Sequence, residues 1–184
     1  MRRRVALTIL LVSAVAVLLT ASAGAADNPK FLMANGTEIF LGLQSGEVKC
    51  AGGQPTGLQY PYRQCSEGTN RTLVRGEVQT VLLSGVTGTA AAMFAGATHR
   101  SVVNCNLDAD LKGQCWGTFK MTVPGQGEWE GAWEGQFDLA NLTGSYSAVG
   151  HGLGGPLDGL QMKYDAVYGG FTGPFAFNVR VNSK

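Results

Sequence analysis

Three glutamates, Glu128, Glu130 and Glu134, recur at even spacing in the run Gly127-Glu-Trp-Glu-Gly-Ala-Trp-Glu-Gly-Gln-Phe137. Side chains two apart on a strand project to the same side. Such a row turned into a cavity would supply hard oxygen ligands for calcium or a pair of carboxyl groups for acid and base work. The opposite face of the same strand carries Trp129, Trp133 and Phe137, whose rings have far more to gain from burial. An unpaired carboxylate is costly to bury. The expected arrangement is therefore tryptophan inward, with Trp129 and Trp133 available to an apolar ligand, and the glutamates on a solvated outer face. The inverse arrangement would make the glutamates catalytic candidates.

His151 is the other catalytic candidate. It stands in Gly150-His151-Gly152 ahead of further loop glycines, where an imidazole titrating near neutral pH could shuttle a proton or simply face water in a turn. His99, beside Arg100, has no partner legible from the sequence. Ser84, Ser145 and Ser147 lack the G-x-S-x-G turn of a serine nucleophile. Asn104, Asn106, Asp108 and Asp110 alternate like part of a calcium loop, but Leu111 occupies the place of the turn glycine and Gly117 that of the bidentate glutamate. A polar turn is the expectation there, and neither a metal nor a cofactor is expected.

Cys50, Cys65, Cys105 and Cys115 are an even set, and no C-x-x-C occurs. In an exported chain, disulfides are the default, here Cys50 with Cys65 and Cys105 with Cys115. The segment between Cys50 and Cys65 carries Tyr60 and Tyr62, which could form an aromatic contact surface or cover the end of the fold.

Period-two alternation dominates the elements that must position these residues. Thr37 to Leu43, Arg71 to Leu83, Thr89 to Phe94, Ser101 to Leu107, Gln114 to Val123, Gly127 to Phe137, Thr143 to Val149, Leu157 to Tyr168 and the run from Phe175 to Asn182 read as strands. Between Arg71 and Leu83, Thr72, Val74, Val78, Thr80 and Leu82 oppose Arg71, Arg75, Glu77 and Gln79. Cys115, Phe119, Met121 and Val123 share one face; Phe175, Phe177, Val179 and Val181 share another. With 27 glycines in the chain and no uninterrupted helical window, an all-β fold follows: an antiparallel closed β-barrel of about eight strands, with a β-sandwich as the alternative. Closure removes exposed edges, and glycines within strands suit tight curvature.

The N-terminus predicts export. Arg2, Arg3 and Arg4 precede an apolar run from Val5 to about Leu19 and the small residues Ala21-Ser-Ala-Gly-Ala-Ala26, the pattern of a signal peptide over residues 1–25. Its removal leaves a single barrel domain over 26–184, with 11 Lys and Arg against 13 Asp and Glu. That near neutrality, without a basic stripe, argues against nucleic acid as a partner. No second long apolar segment suggests a membrane span after cleavage. The expected location is secreted or periplasmic, in a bacterium. The N-glycosylation patterns at Asn35, Asn70 and Asn141 are expected to carry no sugar there.

Gly127-Glu-Trp-Glu-Gly-Ala-Trp-Glu-Gly135, Ser147-Ala-Val-Gly-His-Gly-Leu-Gly-Gly155 and Leu157-Asp-Gly-Leu-Gln-Met162 resemble small secreted bacterial barrels related to allene oxide cyclase and the plant dirigent proteins. The resemblance implies an eight-stranded barrel with a central cavity. No position matches a catalytic residue of either group, so none is carried over. The functional expectation is a disulfide-stabilised barrel that binds an apolar or amphipathic small molecule. An isomerase or cyclase, or an extracellular adhesion or glycan-contact module, are the alternatives.

Overall fold

A computed structural model of the chain describes residues 31–44, 46–50, 71–170 and 175–182, with the side chains of 48–50 left aside. The expected signal peptide, Cys65, Tyr60 and Tyr62 lie outside the described residues, and so does the expected Cys50–Cys65 bond. Among the described residues nine strands follow one another: β1 Phe31–Gln44, β2 Glu47–Cys50, β3 Thr72–Thr87, β4 Thr98–Leu107, β5 Lys112–Val123, β6 Gly127–Asp138, β7 Thr143–Leu153, β8 Gln161–Gly169 and β9 Phe175–Asn182. All pair antiparallel. From β3 to β9 each strand lies beside its successor, and β1 closes the ring by pairing with both β9 and β3. Eight strands thus make a closed barrel, which excludes the sandwich. The short β2 continues the edge of β1 along the first residues of β3.

Alternation decides which side chains fill the interior. Cys115, Phe119, Met121 and Val123 on β5, and Phe177, Val179 and Val181 on β9, are all buried, as their spacing predicts. Trp129 and Trp133 point inward on β6, opposite Met121 and Gly117 of β5. Gly117 has no room for a side chain. A Cβ there would run into the Val102 carbonyl oxygen and crowd the Trp133 indole nitrogen, which donates to that same carbonyl at 3.2 Å. The absent side chain lets a tryptophan span from β6 across β5 to β4.

The alternation breaks once with large consequences. The pairing of β3 with β4 slips between Val74 and Glu77, where Gly76 adopts a φ of 67°. This is a glycine bulge, which inserts one residue and reverses the faces beyond it. Thr72 and Val74 face inward before it; Glu77, Val81 and Leu83 are buried after it. The expectation that Val78, Thr80 and Leu82 share a face with Thr72 and Val74, opposed to Glu77, is therefore corrected: Glu77 is interior. Arg75 clamps the bulge from outside, donating to the Val74 and Cys105 carbonyls and to Asn106 Oδ1, each at 2.7 Å. Asn104 Oδ1 accepts from the Gly76 amide at 3.1 Å. Asp108 Oδ1 accepts from the amides of Asp110 and Lys112, both at 2.9 Å. The alternating Asn and Asp residues thus hold a bulge and a turn.

Two expected strand segments are corrected. Thr89 to Phe94 contains a single 3₁₀ turn, Ala91–Met93, between Gly88 and Gly96 at positive φ. The strand expected to begin at Leu157 begins at Gln161, after a 3₁₀ turn at Gly155–Leu157. Both turns fold over the same end of the barrel and insert Phe94 and Leu157, each wholly buried. The Cys105 and Cys115 pair forms as expected, joining directly opposed residues of β4 and β5 inside the barrel. In the chain-entropy picture such a loop contributes about 2 to 3 kcal/mol.

Candidate functional site in the barrel lumen

The two ends of the barrel differ in chemistry. At the plugged end, Phe94 stacks on Trp129 with the rings 4° from parallel and 5.4 Å apart, and Trp129 Nε1 donates to the Met93 carbonyl at 3.1 Å. At the other end, where β4, β6 and β8 finish, a cavity of about 70 Å³ enters the lumen among the described residues; residues 51–70 and 171–174, which join strands at this end, are not among them. Its outer wall is apolar: Trp133, Phe137, Leu139 and Leu142. Polar side chains also line the cavity, Glu77, Gln79, His99, Ser101, Tyr146 and Tyr168, beside Val81, Val103 and the Cys105–Cys115 pair. Leu142 holds a φ of 51°, a conformation costing a non-glycine residue roughly 1 to 2 kcal/mol.

Behind these side chains lies Glu38 of β1, its own side chain fully enclosed. Oε1 accepts from the hydroxyls of Tyr146 at 2.5 Å and Tyr164 at 2.6 Å, and Oε2 accepts from Tyr168 at 2.7 Å. Strands β7 and β8 thus deliver three donors across the lumen to one carboxylate, the kind of satisfaction a buried charge requires. Burial first, then the charge of Glu38, holds all three phenols well above their ordinary value of 10.0. They remain protonated donors.

His99 completes the cluster. Its Nε2 lies 2.8 Å from Ser101 Oγ. Its Nδ1 lies 4.0 Å from Glu38 Oε1 and has no hydrogen-bond partner among the described residues. Phe119 and Tyr164 pack against the imidazole in T-shaped arrangements. Burial lowers the pKa of His99 below 6.5, with the Glu38 charge opposing that shift. On the neighbouring strand, Gln79 Nε2 donates to Glu77 Oε1 at 3.2 Å.

These shifts set a window of stability. A depressed histidine leaves the unfolded chain binding more protons below pH 6.5, so stability falls as pH drops from 6.5 toward the folded value. A raised tyrosine leaves the unfolded chain losing protons first, so stability also falls as pH rises above 10. Thermal unfolding should accordingly show a plateau between about pH 6.5 and 10, and His99→Gln should reduce the acid-side slope. An unchanged slope in that variant would contradict a buried neutral imidazole.

The expected site residues lie mostly elsewhere. Glu128, Glu130 and Glu134 are on the outer face of β6, where Lys120 Nζ meets Glu128 at 2.6 Å and Glu130 at 3.3 Å. Lys120 is the largest cause holding the Glu128 carboxyl below its usual value. His151 is exposed on β7, opposite Glu130. Glu128, Glu130 and Glu134 thus take the expected outward face with Trp129 and Trp133 inward, and His151 faces solvent as expected, though from a strand and not from a turn. Trp129 belongs to the plug and not to the cavity, whereas Trp133 lines it. Among the described residues no cluster of His, Cys, Asp and Glu suits a metal ion.

Sequence reading missed Glu38, His99, Ser101 and the three tyrosines. Tyr164 and Tyr168 do alternate with Met162 and Ala166 against Lys163 and Asp165, so their inward direction is legible in hindsight of the register alone. No protein-family model matches the chain, and neither does any curated protein or solved structure.

Proposed function

We propose that this is an exported barrel that binds one end of an amphipathic small molecule in the cavity at the end where β4, β6 and β8 finish. One observation carries the reading: a single cavity combines an apolar rim, Trp133, Phe137, Leu139 and Leu142, with hydrogen-bonding side chains, His99, Ser101 and Gln79, set among Val81, Val103 and the disulfide. Sites of that composition orient a ligand with few polar groups and hold it by apolar contact. The volume of about 70 Å³ is less than half of the roughly 150 Å³ that encloses a benzene ring. Only the polar end of a ligand therefore fits inside, with the remainder against the rim. Export is supported by the Arg2–Arg4 and apolar N-terminal pattern, and the Cys105–Cys115 disulfide suits an oxidising compartment.

A second reading, an isomerase or cyclase like the barrels the sequence resembles, is favoured by the His99 and Glu38 pair, which places a base and a carboxylate in the lumen. Glycan contact through Tyr60 and Tyr62 draws no support from the described residues. Native mass spectrometry of protein purified from its own host tests the binding reading. A copurifying amphipathic ligand is the expected result; a bare protein that also ignores a panel of lipids and alcohols would contradict it.

A further inference from the structure

Resting on the reading of this cavity as a ligand site, we infer that Ser101 is a nucleophile, with His99 as its base and Glu38 as a positioning residue, able to cleave a small-acyl ester of a lipophilic alcohol. Ser101 Oγ and His99 Nε2 are 2.8 Å apart, and both line the cavity. On the far side of the ring, Glu38 Oε1 stands 4.0 Å from Nδ1, the buried nitrogen with no described hydrogen-bond partner. A carboxylate on that side favours the tautomer with hydrogen on Nδ1, which leaves Nε2 as the acceptor of the Ser101 proton. Nucleophile, base and orienting carboxylate recur in this relation on unrelated folds and are recognised by geometry, not by sequence order. His99 is neutral at pH 7 through its burial, the state a base needs.

Gln79 is the cross-strand neighbour of Ser101 and also lines the cavity. One N–H of its amide donates to Glu77; the second is the donor that an oxyanion beside Ser101 would use. The reaction balances without another reagent than water. Ser101 Oγ bonds to the ester carbonyl carbon as its proton passes to His99 Nε2; the intermediate then expels the alkoxide, which takes that proton and leaves as the alcohol. Water attacks the acyl-serine by the same route, and the carboxylic acid departs. The room beside Ser101 restricts the acyl group to a few atoms, while the apolar rim receives the alcohol's chain.

An alkyl fluorophosphonate tests this on the full chain. Attack by Ser101 forms an O–P bond, releases fluoride and adds one label by mass. Peptide mapping of the wild-type protein should place that label on Ser101. Ser101→Ala should abolish it, while the outward Ser147→Ala should not. His99→Gln should slow labelling by at least about a hundredfold, and Glu38→Gln should slow it and shift its pH profile. Absence of label at Ser101, or labelling indifferent to His99→Gln, would overturn the inference. If a non-reactive alcohol still binds the unlabelled protein, the cavity reading stands and only the nucleophile falls; if neither probe engages, both fall.

Discussion

Glu38→Ala should destabilise the barrel by about 3 to 5 kcal/mol, because it strands three buried phenol donors rather than one. Tyr146, Tyr164 and Tyr168 all donate their hydroxyls to this carboxylate, and the rings of Tyr146 and Tyr164 are buried. For a domain of this size the midpoint of thermal unfolding should fall by on the order of 10 °C. Single Tyr→Phe changes remove a donor and leave the carboxylate two others, so each should cost closer to 1 kcal/mol. The three losses should not sum to that of Glu38, since all share one acceptor. Urea unfolding of the four variants checks this; a Glu38→Ala protein as stable as the parent would show that the cluster does not hold the lumen together.

Trp129→Ala should cost a similar amount, about 3 to 5 kcal/mol, by a different mechanism. The ring is wholly buried, stacks on Phe94 and donates to the Met93 carbonyl. Its removal leaves a cavity under the 3₁₀ turn at Ala91–Met93 and an unpaired carbonyl above it. The plug should then open locally, seen as faster hydrogen exchange at Phe94 and Ala97, whose amides bond within that turn. A loss below about 1 kcal/mol with exchange unchanged would mean that the plug does not depend on the tryptophan.

The barrel was legible because alternation survives in most strands. The Glu and Trp rows of β6 show which side faces water without any tertiary information, and β5 and β9 do the same. What the sequence conceals is register. Gly76 reverses β3, so Glu77 reads as a partner of Arg75 on the outside although it lies inside. Glu38 offers a plainer difficulty: a glutamate among Gly36, Ile39 and Phe40 reads as a surface residue unless its three tyrosine partners, 108 to 130 residues away, are known. His99 and Ser101 are two apart on one strand, a spacing with no meaning until the lumen and Glu38 are placed around them. The candidate site is thus built from long-range coincidences, and the acidic row that the sequence displays most openly is a solvated face held by Lys120.

If the cavity where β4, β6 and β8 finish holds the polar end of an amphipathic molecule, Trp133 in its wall should report on it. Titration with a medium-chain alcohol such as 1-octanol, followed by tryptophan fluorescence, should give a saturable change that disappears in Trp133→Phe. Ser101→Leu, which fills the cavity with an isobutyl group, should abolish binding detected by calorimetry while the protein still unfolds cooperatively. No saturable signal in the parent, or equal binding by the filled variant, would contradict the account.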